Sequence, residues 1–177
     1  MSSVNDTPDG TQADQPLDDE WPDLHIPANH EKFNDKFRIG LHHLQNRLED
    51  PTVRPVAFGR NQNTVYITLN EFELDADLWE EDATDVYMNV PVNFGTGIPY
   101  GFVTHPPVNR TDGKPVSRQH RGRPDAQPLA DALGVSNSAI SWWSYKWKGM
   151  TVNDGADMSK GIGIIHRRLS EKEGHNA

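Results

Sequence analysis

The sequence predicts an α+β domain in which an N-terminal helix precedes a four-stranded antiparallel meander, a long irregular basic loop and C-terminal helices. Three patterns carry that expectation. Apolar residues recur at helical spacing over 34–49, alternate with polar ones in β-branched and aromatic stretches between 54 and 104, and return to helical spacing over 157–169. A run with no apolar period, 108–128, stands before the closing helices.

Phe33, Phe37, Leu41, Leu44 and Leu48 follow one another at intervals of four, four, three and four, which lays one apolar stripe along a helix over 34–49. Asp50-Pro51 ends it, because the residue before a proline is steered out of the helical region. Segments 54–58 and 63–72 are rich in β-branched and aromatic residues and flank a turn at 59–62, the pattern of a hairpin. The acidic stretch 74–84, with Leu78 and Trp79, reads as a loop or one helical turn. Val86, Met88, Val90 and Val92 alternate through a third strand over 85–94, where Pro91, lacking an amide donor, predicts an edge or bulged position. A glycine turn at 95–97 leads to a short fourth strand over 100–104, stopped by His105-Pro106-Pro107. Arg110, Lys114, Arg118, Arg121 and Arg123 face only Asp112 and Asp125, which makes 108–128 a basic loop. Helices are expected at 129–133, 137–146 and 157–169, the last with Met158, Ile162, Ile165 and Leu169 on one face.

A chain of 177 residues with 34% hydrophobic content suffices for one domain, placed at 29–172 between an acidic tail, 1–28, and a short end, 173–177. Residues 1–24 hold seven acids and no Lys or Arg, and the remainder carries 19 acids against 17 basic residues, so the net charge of −9 belongs mainly to the tail. Both ends read as disordered, because their polar composition cannot bury enough surface to offset chain entropy. Asp outnumbers Glu 17 to 9, a balance that fits a halophilic source in which carboxylates keep the surface hydrated. The chain has no cysteine, which excludes disulfides, thiolate metal sites and thioester chemistry. No apolar run reaches the ~18 residues of a membrane span and the start lacks basic and apolar regions, so a cytoplasmic protein without membrane contact is expected.

The order of helix, four-strand meander, proline-rich turn, irregular segment and terminal helices resembles the ubiquitin-conjugating (E2) fold over 33–169, in particular the divergent prokaryotic E2-like families. Val90-Pro91-Val92-Asn93-Phe94 with Ile98-Pro99-Tyr100-Gly101-Phe102-Val103 is similar to the strand and turn that precede the E2 active-site segment. His105-Pro106-Pro107 followed by Asp112-Gly113 is similar to the family's His-Pro-Asn tract and its Asp-Gly. Trp143, Trp147 and the closing basic helix are similar to the C-terminal part of some bacterial members. Where the family places its thioester cysteine this chain has Pro115-Val116-Ser117, and the family's asparagine is Pro107. The resemblance therefore implies a non-catalytic binding module without cofactor, whose partner is a ubiquitin-like protein or a conjugation-type enzyme. Its implied contact surface comprises Pro99, Tyr100, His105, Pro106, Pro107 and Trp142.

A second resemblance competes over 129–147. Leu129 to Trp143 is similar to the helix-turn-helix of repressor-type DNA-binding proteins: Ala130 at the helix contact, Gly134 at a corner needing positive φ, Ser136 as a cap, Val135 and Ile140 facing a small core. It implies a DNA-binding regulator in which Asn137, Ser138 and Ser141 reach bases or phosphates while Arg118, Arg121 and Arg123 neutralise phosphates.

Trp143 and Trp147, four apart on the expected helix, share a core face, leaving Trp142 as the exposed aromatic. The eight histidines include neither His-x-His nor His-x-x-x-His, so no metal site is expected. His105 with Asp112 is the one candidate acid–base pair, and Ser117 and Ser141 lack the surroundings of a hydrolase nucleophile. Gly161-Ile162-Gly163 reads as close helix packing, and His166-Arg167-Arg168 as basic residues complementing a helix C-terminus.

Overall fold

The computed structural model describes residues 30–97, 99–147 and 158–170. The acidic tail, Ile98, the start of the expected last helix and the 173–177 end lie outside the described residues. The chain forms α1 (Asp35–Leu48), β1 (Pro55–Phe58), β2 (Thr64–Glu73), β3 (Ala83–Pro91), β4 (Tyr100–His105), β5 (Gln119–Arg121), α2 (Gln127–Leu133), β6 (Ser141–Lys146) and α3 (Lys160–Leu169). The strands make one antiparallel sheet in the order β1-β2-β3-β4-β6-β5.

The expected meander is present as β1 to β4. Asn34 starts α1, its Oδ1 accepting from the Phe37 N–H at 2.8 Å, while its Nδ2 donates to the Phe94 carbonyl and pins the helix to the loop after β3. Pro91 is accommodated differently from the expectation: β3 is an interior strand, but its pairing with β4 stops at Met88↔Phe102, so the proline sits beyond the last donor needed on that side.

Past β4 the structure departs from the sequence reading in two places. The basic loop contains a short strand, β5, and 137–146 is not a helix. Its first residues make a single 3-10 turn, Asn137–Ala139, capped by Ser136, and the rest is β6, inserted between β4 and β5. The physical reason lies in Ser141-Trp142-Trp143-Ser144-Tyr145-Lys146, where aromatic residues favour a pleated ladder and both neighbouring strands supply hydrogen-bond partners. Adjacent tryptophans point to opposite faces of a strand, and each enters a different core.

One face of the sheet, built from Val65, Ile67, Val86, Met88, Phe102 and Trp143, packs against α1 (Phe37, Leu41, Leu44) and α3 (Ile162, Ile165, Leu169). The opposite face, built from Tyr66, Tyr87, Val103 and Trp142, packs against Leu129 and Ala130 of α2, with Ala126 and Ile140. Helices therefore cover both faces, and α2 is the element that shapes the second one. Pro128 lies in its first turn, where a missing N–H costs nothing, and Gly134, at φ +68°, closes it.

Gly161 meets the Trp147 ring at a distance that leaves no room for a Cβ, so the close-packing expectation holds at this glycine, while Gly163 faces open space. Arg168 is not a solvated helix-end cation: it is 2% exposed and its guanidinium lies over the Trp143 ring.

Candidate partner-binding groove

On the α2 face an open groove of about 220 Å³ runs between the β1–β2 turn and the 3-10 turn Pro124–Ala126. Tyr66, Asn89 and Trp142 line it from the sheet, Gly59, Arg60, Asn61, Asn63 and Thr64 from the turn, and Tyr100, Arg123 and Asp125 from the remaining sides. Its volume falls below the ~300–1,000 Å³ of pockets that enclose a small molecule, a size suited to one or two side chains of a larger partner.

Trp142 is the centre of the groove and is not an exposed anchor. It is 3% exposed, with Tyr66 edge-on at 6.5 Å, Tyr100 tilted at 6.4 Å and the Arg123 guanidinium 5.8 Å from its centroid. Tyr100, 43% exposed, is the aromatic that solvent reaches. Gly101 makes this arrangement possible: at φ +73° it sits in the β4–β6 irregularity between Tyr100 and Phe102, and the Trp142 indole passes over it where a Cβ would stand. Arg123 is held by Asp125 at 2.8 Å, and the Tyr66 hydroxyl donates to the Asp125 carbonyl at 2.8 Å. The Oδ1 of Asn89 is enclosed and accepts from no described residue, an unmet acceptor in the groove wall.

No family model, curated protein or solved structure matches this chain.

The structure divides the surface expected from sequence. Tyr100 and Trp142 come together, whereas His105, Pro106 and Pro107 lie at the other end of β4, where His105 Nδ1 is 3.0 Å from the Ala139 carbonyl. Pro99 is buried. For the DNA-binding set, the recognition helix does not exist. Ser141 is 0% exposed, the Asn137 amide donates to the Arg123 carbonyl at 2.9 Å, and only Ser138 of the three is exposed. Arg121 donates to Asn109 at 3.1 Å and Arg118 is exposed just before β5. Arg123 belongs to the groove. The His105–Asp112 pair is not formed: Asp112 takes two hydrogen bonds from Arg110, at 2.8 and 2.6 Å, which with the Lys114 amide hold its carboxyl below the usual value. Among the described residues no cluster of His, Asp and Glu is arranged to hold a metal ion, and no helix is long and apolar enough to cross a membrane.

The groove residues missed from sequence, Tyr66, Asn89 and Arg60, carried no motif, and only the alternation of β2 and β3 signalled that Tyr66 and Asn89 share a face with each other and not with Ile67 and Met88. Burial, then repulsion from Asp125, raises the Tyr66 phenol above its ordinary value. Tyr87, on the same face, is pushed up to about 12 by burial and then Asp85, against the opposing bond with Thr68. Both phenols bind their protons more tightly in the folded chain, so this stability is complete below about pH 10 and is lost as pH rises through the folded values. Urea midpoints are expected to hold level near about pH 8 and to fall by about pH 11, in step with tyrosinate absorbance.

Proposed function

We propose that the chain is a non-catalytic protein-binding module of E2-like architecture, and that it engages a ubiquitin-like protein or a conjugation-type enzyme through the groove at Tyr100, Trp142 and Arg123. The helix followed by a four-strand antiparallel meander supports the architectural part, and the absence of cysteine removes thioester transfer from its chemistry. One observation carries the binding part: an exposed tyrosine packs on a buried tryptophan beside a fixed arginine, next to an amide acceptor that lacks a donor. Tyrosine, tryptophan and arginine dominate the energetics of protein interfaces.

The test is affinity capture by the tagged full chain from extract of its source, with Tyr100→Ala and Pro107→Ala in parallel. Capture of a ubiquitin-like protein or conjugation-type enzyme is expected to fall about tenfold or more with Tyr100→Ala, the ~1.4 kcal/mol of an aromatic anchor, and to persist with Pro107→Ala. Equal recovery by Tyr100→Ala, or loss with Pro107→Ala alone, moves the binding surface off the groove. Trp142→Ala is unsuited to this purpose, because removal of a core side chain unfolds as much as it unbinds.

A further inference from the structure

We propose that the resident occupant of the groove is this chain's own acidic segment 18–26, anchored by Trp21, which a partner must displace; the inference rests on the groove being the binding site. The described chain begins beside it. Lys32, in the turn His30–Lys32, donates to Gln62 Oε1 at 2.6 Å and lies 5.9 Å from the centroid of Phe58, so the tail joins the body at the β1–β2 hairpin whose Gly59, Arg60, Asn61 and Asn63 wall the groove. The link from Trp21 to His30 is long enough: at ~3.3–3.6 Å per residue it spans up to about 30 Å, against the ~14 Å of the three strand spacings from β2 to β6, which carries Trp142.

Charge and shape match as well. Segment 18–26 reads Asp-Asp-Glu-Trp-Pro-Asp-Leu-His-Ile, four acids around one tryptophan and no Lys or Arg, while the groove presents Arg60 and Arg123 against the single carboxylate of Asp125. Trp21 brings a flat ring for Tyr100, and a groove of about 220 Å³ takes a side chain of that kind and little more. Tethering through so short a link gives a local concentration of order mM, enough to fill a weak site.

The absence of native cysteine permits a direct test in the full chain. Gln15→Cys carries a nitroxide, and amide signals of the isotope-labelled protein report which surfaces the tail visits. The expected result is loss of signal at Arg60, Asn61, Asn63, Tyr100 and Gly101, sparing Asn70 and Glu71 at the far end of β2, with signal restored by Trp21→Ala and by ~1 M salt, where the Debye length shrinks to ~3 Å. Signal loss confined to 32–34, or unchanged by Trp21→Ala, overturns the proposal. Loss that appears when spin-labelled and isotope-labelled chains are separate molecules assigns the segment to a second copy and overturns the intramolecular contact. No partner enters this experiment, so its failure is separate from failure of capture; with the proposal correct, Trp21→Ala raises capture and Tyr100→Ala lowers it about tenfold or more.

Discussion

Gly101→Ala is expected to lower stability by about 3 kcal/mol, combining ~1–2 kcal/mol for a side chain in the left-handed region with ~1–3 kcal/mol of overpacking. The added Cβ would lie 2.6 Å from the Trp143 carbonyl oxygen and 2.9 Å from the Trp142 ring, at φ +73°. The nearer obstacle is backbone, so no rotamer change relieves it and the β4–β6 pairing must open. That pairing positions Trp142, so the capture proposed for the groove is expected to fall in the same variant. Gly134→Ala is the control: its φ is +68° but nothing lies within 4 Å of the added Cβ, so only the conformational part, about 1 kcal/mol, is expected. Urea denaturation of both variants separates the two contributions, and equal midpoints would mean that the indole does not press on Gly101.

Arg168→Ala is expected to cost about 3–5 kcal/mol, comparable to breaking a buried charged interaction. The guanidinium donates to the Ser117 carbonyl at 2.6 Å and lies 5.0 Å from the centroid of Trp143, tying α3 to the loop before β5 and to β6 at once. Truncation leaves a cavity and a carbonyl without its donor, and removes a cation–π contact worth up to ~2 kcal/mol. Arg168→Met keeps much of the volume and isolates the polar part, so its loss is expected to fall between wild type and alanine in the same denaturation experiment. A cost under ~1 kcal/mol for alanine would show that Arg168 is held no more firmly than an ordinary surface cation.

The first half of the domain was legible because its signals are local. The stripe from Phe33 to Leu44 and the alternation through β2 and β3 each reflect one element packing on one core, and the boundaries agree with the structure to within a few residues. The second half was not, because the state of Ser141-Trp142-Trp143-Ser144-Tyr145-Lys146 is decided by neighbours far away in sequence, β4 on one side and β5 on the other. Short apolar runs carry helix and strand meanings equally well until a partner strand is known. The error propagated to the site. Placing Trp142 on a helix made it the exposed aromatic, when strand geometry buries it and hands that part to Tyr100. Arg123 was drawn from the basic loop for phosphate contact and in fact sits over Trp142. The groove thus joins Tyr100 and Trp142 from one sequence hypothesis and Arg123 from the other with Tyr66 and Asn89, which neither had singled out.

Partner binding on the α2 face, as proposed, is tested most directly by amide hydrogen exchange of the full chain with and without its captured partner. Slowed exchange concentrated at 59–66, 89, 100–101 and 123–125 is the result it predicts. Slowed exchange at 105–121 instead, with the hairpin and Tyr100 unaffected, would contradict it.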